Sequence, residues 1–133
     1  MIGLDANVLV RYFAQDDAVQ STQANRIMEV LSEDNCGFVS VVSMVELVWV
    51  MQSAYQADRA TVTNIMQTLF SIASIKVENT ETVQKALRTY SNTQADFADC
   101  LIVKSCEAAG CDVTMTFDVG AAKKCGMTLV NDD

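Results

Sequence analysis

The stretch IGLDANVLVRYF, residues 2–13, changes its period at one acidic residue. Ile2-Gly3-Leu4 is a short apolar run of the kind that forms a buried strand, and Asp5-Ala6-Asn7 interrupts it. Val8, Leu9, Tyr12 and Phe13 then recur at helical spacing. Asp5 therefore falls where a strand ends and a helix begins. A chain that repeats this order is expected to be an α/β protein.

The order does repeat. Residues 19–32 read as a helix with Ile27, Val30 and Leu31 on its apolar side and Asp16 or Asp17 as N-cap. Residues 38–42 (FVSVV) read as the second strand. Ser43-Met44-Val45-Glu46 then has the form of a capping box ahead of the apolar run 47–51, opening a third helix. Asp58 caps a fourth, running to Ser74. Its stripe of Val62, Ile65, Met66, Leu69 and Phe70 is core, with Met66, Leu69 and Phe70 also available to a dimer or partner surface. Ile75-Lys76-Val77 is a weak third strand, and Thr80 opens a fifth helix through Val83, Leu87 and Tyr90. A helix over 95–109 turns Phe97, Leu101, Ile102 and Cys106 inward and stops at Gly110. Residues 111–117 form the fourth strand, 118–125 a short helix closed by Gly126, and 127–130 the fifth strand. No repeat, linker or low-complexity segment interrupts the series, and with no proline the breaks fall to glycines and capping residues.

Strands alternating with helices imply a mostly parallel sheet flanked by helices on both faces, with right-handed crossovers. Helix N-termini then share an edge with strand C-termini, where open α/β sheets bind ligands. Asp5 and Asp118 end strands, while Glu46, Asp96 and Asp99 occupy first turns of helices. All five carboxylates are expected at one edge. Carboxylates gathered there repel one another and lose hydration, and divalent cations are the natural compensator. Mg²⁺ and Mn²⁺ favour oxygen ligands, and a pair of such ions roughly 3.5–4 Å apart suits in-line phosphodiester displacement. Asp96 and Asp99 stand at i and i+3 on one helix face. Asp99 is the deeper, hence the ligand, and Asp96 its support.

Composition narrows the chemistry. With 133 residues, half of them apolar, the chain fits one domain over residues 1–133 with a sizeable core. No apolar run reaches membrane-spanning length, and the opening residues lack the basic start and long apolar stretch of a signal peptide, so a soluble cytoplasmic protein is expected. The five cysteines, Cys36, Cys100, Cys106, Cys111 and Cys125, are odd in number and form no C-x-x-C pair, which argues against disulfides and structural zinc. They read as reduced and mostly buried, with Cys100 and Cys106 acting as small hydrophobes. With no histidine, hydrolytic chemistry must run on carboxylates and hard metals. The net charge of −8 on its face disfavours nucleic acid. Against that, acids that hold a metal are neutralised by it, and the nine Lys and Arg need only be unevenly placed.

Asp5 in GLDANVLVRYF, Glu46 in SVVSMVELVWVM, Asp96 and Asp99 in ADFADCLIV, and Asp118 in VTMTFDVGAAKKCGMTLV resemble, in order and spacing, the successive acidic motifs of PIN domains. The resemblance covers the whole chain and is closest to VapC-type toxins, the ribonucleases of toxin–antitoxin pairs. It implies a five-stranded parallel sheet in the order 3-2-1-4-5 and a Mg²⁺- or Mn²⁺-dependent endoribonuclease. It also implies a homodimer and a small antitoxin whose C-terminal segment occupies the active-site groove. Carried over by motif, Asp5, Glu46, Asp99 and Asp118 would be the metal ligands and the catalytic residues. Asn7 and Thr116 match polar positions beside the first and last acids and would orient ligands or water. In so acidic a chain, Arg11, on the helical face of Asn7, and Lys104, near the Asp99 helix, are the candidates to contact RNA.

Each residue also has a local explanation. Glu46 completes a capping box, Asp96 favours its helix dipole, and Asp5 and Asp118 suit turns or N-caps. Asn7 and Thr116 suit local hydrogen bonds, and Arg11 and Lys104 suit solvated surface. None of these explains why the acids gather in family order. Competing α/β enzymes fit less well. An aspartyl phosphatase needs a second Asp where Asn7 stands, and a receiver needs a lysine after a late strand, where only Asn131, Asp132 and Asp133 follow. A structure-specific DNA nuclease needs gripping elements for which the chain has no room. The alternative to the nuclease is a non-catalytic RNA- or protein-binding module on the same fold.

Overall fold

The computed structural model describes residues 1–131. Its elements run β1 (Ile2–Gly3), α1 (Ala6–Ala14), α2 (Ala18–Val30), β2 (Gly37–Val39), α3 (Val41–Ser53), α4 (Arg59–Ser71), β3 (Ile75–Val77), α5 (Thr80–Asn92), α6 (Phe97–Ala108), β4 (Met115–Thr116), α7 (Val119–Cys125) and β5 (Thr128–Leu129). They fall into two compact units, Met1–Thr80 and Glu81–Asp133.

In the first unit, β1, β2 and β3 form a parallel sheet in that order, with Gly3 opposite Phe38 and Phe38 opposite Lys76. The ladder continues at both ends: the N–H groups of Ile2 and Leu4 donate to the carbonyls of Cys36 and Phe38, and the Glu78 N–H donates to Val39. Leu4, Leu9, Val10, Val39, Met44, Leu47, Val62, Met66 and Leu69 are all buried. Met66 and Leu69 are therefore fully committed to the core, leaving Phe70 as the half-exposed member of the expected α4 partner surface. Asp17 settles the α2 cap by accepting from the Gln20 N–H at 2.8 Å. Asp16 instead accepts from Arg11 at 3.2 Å and from the Tyr55 hydroxyl at 2.9 Å.

The second strand ends earlier than its β-branched run suggested. Ser40 caps α3 by accepting from the Ser43 N–H at 3.1 Å, and Glu78 accepts from the Val41 N–H at 2.9 Å. Val41 and Val42 thus enter a helix, because these two acceptors satisfy its first donors and Met44, Leu47, Val48 and Met51 bury one face of it. The expected Ser43–Glu46 box does not form. Glu46 lies in the second turn, free of any capping role.

In the second unit, β4 and β5 pair in parallel, Met115 opposite Thr128. Tyr90 and Phe97 meet edge to face at 5.8 Å, both buried. Val103, Ala121 and Met127 form a small buried cluster with Cys125 packed against it. Gly110 closes α6 with a left-handed φ of 96°, which lets its N–H reach Glu107 and the Cys111 N–H reach Cys106 in a Schellman arrangement. Ile102 is 47% exposed, contrary to expectation, since Phe97, Cys100, Leu101 and Val103 take the inward positions of α6.

The single five-stranded sheet in the order 3-2-1-4-5 is not what forms. The described residues make a three-stranded ladder and a separate two-stranded one. The adjacencies 3-2-1 and 4-5 survive. Strand length explains the break: β1 and β4 are two residues each, and alternate residues of a strand bond to opposite sides. Ile2 and Leu4 point their donors at β2, and the carbonyls of Thr114 and Thr116 accept from β5. Little more than Gly3 and Met115 is left for a ladder on the far side of each strand. The cysteines also depart from expectation. Cys100 alone is buried, Cys36, Cys106 and Cys125 are half-buried and Cys111 is exposed.

Because Ser40, not Ser43, satisfies the α3 backbone, Ser40→Ala is expected to destabilise the fold by about 1 kcal/mol and Ser43→Ala by clearly less. Urea unfolding followed by circular dichroism measures both.

Candidate functional site

Parallel pairing decides where Asp5 falls in the first unit. Gly3 is level with Phe38, so two residues on Asp5 is level with Ser40, the α3 cap. Asp5 and the start of α3 thus share the C-terminal edge of the sheet, and α1 packs on α3. Asp5 occupies the N-cap position of α1, yet its side chain makes no capping bond. The Asn7 amide donates to its Oδ2 at 3.3 Å instead. Both are exposed, as is Glu46. The local explanations offered for Asp5 and Glu46 are therefore not realised, and these two carboxylates remain available.

Arg11 does share a face with Asn7. Together with Val8, Gln20, Gln23, Ala24 and Ile27 they line an open cavity of about 240 Å³. The guanidinium is already engaged, however. Its Nε donates to Gln20 at 2.7 Å and its Nη1 to Asp16 and Tyr55, both at 3.2 Å. The Tyr55 hydroxyl, more than the guanidinium, holds Asp16 below the usual carboxylate range. Arg11 is first of all the clamp between α1, the start of α2 and the segment after α3.

In the second unit Asp96, Asp99 and Asp118 line one open cavity of about 210 Å³ with Gln94, Ala95, Gly120, Ala121 and Lys124. Asp96 is the N-cap of α6 and accepts from the Asp99 N–H at 3.4 Å. Asp99, three residues on, is the more buried of the two. Asp118 caps α7, its Oδ1 accepting from Gly120 at 2.7 Å and Ala121 at 3.2 Å. Thr116 accepts from the Asp118 N–H at 3.0 Å, so it shapes the turn that presents the acid. Burial, then the charges of Asp96 and Asp118, push the Asp99 carboxyl above its ordinary value. Burial, with Asp99 as the next cause, also raises the Cys125 thiol. Lys104 pairs with Glu107 at 3.2 Å.

Two lining residues escaped the sequence reading. Lys124 reads in sequence as an ordinary cation in the last turn of a helix, and Gln94 as part of a polar loop. Packing of α7 on α6 brings Lys124 to the acids, while Gln94 lies there by standing two residues before Asp96. A lysine lining a cavity with three carboxylates is a donor able to meet an anionic oxygen.

Among the described residues, no three His, Cys, Asp or Glu side chains are grouped as a ready metal shell. The donors nonetheless match a hard divalent ion in kind: all are carboxylate oxygens, and the strained ionisation of Asp99 marks negative charge that a cation would relieve.

Carboxylates follow β1 and β4 and open α6 and α7 on a parallel α/β scaffold whose sequence has no histidine. Residues 2–126 match the PIN domain, and the chain belongs to that family. It is 26% identical over 129 residues, covering 96% of this chain and 94% of the relative, to a VapC ribonuclease of Aquifex aeolicus (strain VF5). No helix among the described residues is long and apolar enough to cross a membrane.

The elevated Asp99 pKa has a definite sign. Above its ordinary value of 3.8 the native state holds this proton more tightly than the unfolded chain, so stability falls as pH rises through the native pKa. Asp99→Asn is therefore expected to raise the thermal midpoint of the metal-free protein at neutral pH, with the gain vanishing near pH 3.8 and below. Melts across pH in EDTA measure it.

Proposed function

We propose that this chain is a VapC-type endoribonuclease that hydrolyses RNA phosphodiester bonds at a Mg²⁺- or Mn²⁺-dependent carboxylate site. The observation that carries the reading is the cavity of Asp96, Asp99 and Asp118, where burial and then mutual repulsion raise Asp99, in a PIN-domain chain without histidine. The named ribonuclease among its relatives supports the same reaction class.

In this reading Asp5, Glu46, Asp99 and Asp118 are the ligands. Asn7 donates its amide to Asp5, and the charge of Asp96 opposes ionisation of Asp99, an opposition that a bound cation would relieve. Thr116 holds the turn that aims Asp118. The exposed carboxylates of Asp5 and Glu46 turn without breaking any cap, so they adjust to an ion at little cost. When bound, the divalent ion supplies an acidified water and neutralises charge on the phosphate. Lys124 offers a point charge to a phosphate oxygen, with Arg11 and Lys104 as weaker contacts. The working form is a cytoplasmic homodimer, restrained by a cognate antitoxin.

Purified protein with Mg²⁺ or Mn²⁺ should cut RNA, lose that activity in EDTA, and lose at least about 100-fold in rate as Asp5→Asn or Asp99→Asn. Equal activity in all three proteins would identify a contaminant and favour the non-catalytic binding module. The metal also has a signature apart from cleavage. At a hundred times its Kd it adds about 2.7 kcal/mol to wild-type stability, visible as a higher Tm, and a melt insensitive to millimolar Mg²⁺ counts against the site. Unrestrained expression should arrest growth and degrade RNA, and co-expression of the cognate antitoxin should relieve both. Growth and RNA integrity left intact would remove the toxin assignment.

A further inference from the structure

The turn that ends α6 joins two cysteines. In a Schellman turn the residue that opens the helix's last turn and the residue just after the glycine share a backbone hydrogen bond, and side chains at those two positions commonly pack together. Here the two are Cys106 and Cys111. The Cys111 N–H donates to the Cys106 carbonyl at 2.9 Å, while Gly110, at a φ of 96°, donates to Glu107 at 3.0 Å. The first of these bonds bounds the backbone separation. A carbonyl oxygen lies about 2.4 Å from its own Cα and an amide nitrogen about 1.46 Å from its own, so the two Cα atoms stand at most about 6.8 Å apart. Disulfides bridge Cα atoms roughly 4.4–6.8 Å apart. Four residues separate the pair in sequence, outside the C-x-x-C spacing, and it is the turn that pairs them. Both are reachable, Cys106 half-buried and Cys111 exposed. The remaining cysteines are placed otherwise: Cys100 is buried, Cys125 donates to the Ala121 carbonyl at 3.2 Å, and Cys36 donates to Glu33 at 3.1 Å.

We propose that Cys106 and Cys111 form an oxidisable dithiol site, which a low-molecular-weight disulfide of the glutathione type closes to an intramolecular bridge across the end of α6. The site is independent of the nuclease reading. Cys111, the more exposed, attacks one sulfur of the small disulfide as a thiolate. That S–S bond breaks, one small thiolate leaves, and a mixed disulfide remains on Cys111. The Cys106 thiolate then attacks the Cys111 sulfur and expels the second small thiolate. In total the two protein thiols give up two electrons and two protons, and the small disulfide is reduced to two thiols. The bridge ties the end of α6 to the segment that leads into β4, the strand ahead of Asp118.

Trypsin cuts after Lys104 and Lys123, which puts both cysteines in the peptide 105–123 and the other three in separate peptides. Native protein is equilibrated with millimolar glutathione disulfide, its remaining thiols are alkylated, and the tryptic peptides are weighed. Peptide 105–123 is expected two hydrogens lighter than its reduced form, with the bridged form exceeding the glutathione-bearing form at least about tenfold, and dithiothreitol should restore both thiols. In Cys106→Ser the reaction should stop at glutathione on Cys111, since the second step has lost its nucleophile. Bridged protein should melt above reduced protein, because the bridge restrains the unfolded chain. Four results overturn the proposal. They are a wild-type peptide 105–123 that stays reduced or keeps glutathione as Cys106→Ser does, a bridge to the peptide of Cys36, Cys100 or Cys125, a lower melting point on closure, and equal closure in native and urea-unfolded protein. The last would assign the bridge to nearness in sequence and leave the turn no part in it.

Discussion

Gly37 lets two leucines close over the middle strand of the first unit. A Cβ at this position would meet the Cδ1 atoms of Leu4 and Leu31 at 2.8 Å, so any larger residue pushes two buried side chains aside. With Gly37 in place, β2 takes Ile2 on one side and Ile75 on the other in parallel register. That register brings the end of β1, the start of α3 and Glu78 after β3 to a common edge. Glu78 then reaches across to the Val41 N–H. Everything placed in the first unit, Asp5 and Glu46 included, inherits its position from this pairing.

The acids divide by what the backbone asks of them. Asp17, Asp58, Asp96 and Asp118 each accept from N–H groups at a helix start. Asp5 and Glu46 have no such duty, and Asp99 has a raised pKa that its surroundings do not relieve. A residue that stabilises its own helix is explained by that alone. A carboxylate that caps no helix keeps its oxygens open to a group from outside the chain. Asp118 and Asp96 are instances of both, since one oxygen of a carboxylate can cap while the other faces a cavity.

The elements with strong period or sharp punctuation were legible in the sequence. The IKV strand, the Asp58 cap, the start of α5 at Thr80, and the stops at Gly110 and Gly126 all fall where the residues indicate. The FVSVV segment misled, because β-branched residues favour strands while packing of the four residues beyond it and two well-placed acceptors favour the helix that forms. Two serines three apart both look like caps, and only the Glu78 carboxylate arriving from β3 distinguishes them. The pairing of Asp96 with Asp99 was readable from their spacing, and Asp118 from its turn. Lys124 and the engagement of Arg11 depend on how helices roll against their neighbours, which local sequence does not encode.

The distribution of caps has a consequence for the approach of a polyanion. Helix N-termini at the rim of an α/β fold normally offer bare N–H groups that cradle phosphate. In this chain those cradles are plugged from within: Ser40 and Glu78 at α3, Asp96 at α6, Asp118 at α7. Each of these helix starts thus meets an approaching anion with an acceptor of the chain itself, where related architectures offer bare donors. Under the proposed nuclease function, admission would be licensed by ions drawn from the surroundings, so the supply of free divalent cation, more than the abundance of the protein, would tune engagement with RNA.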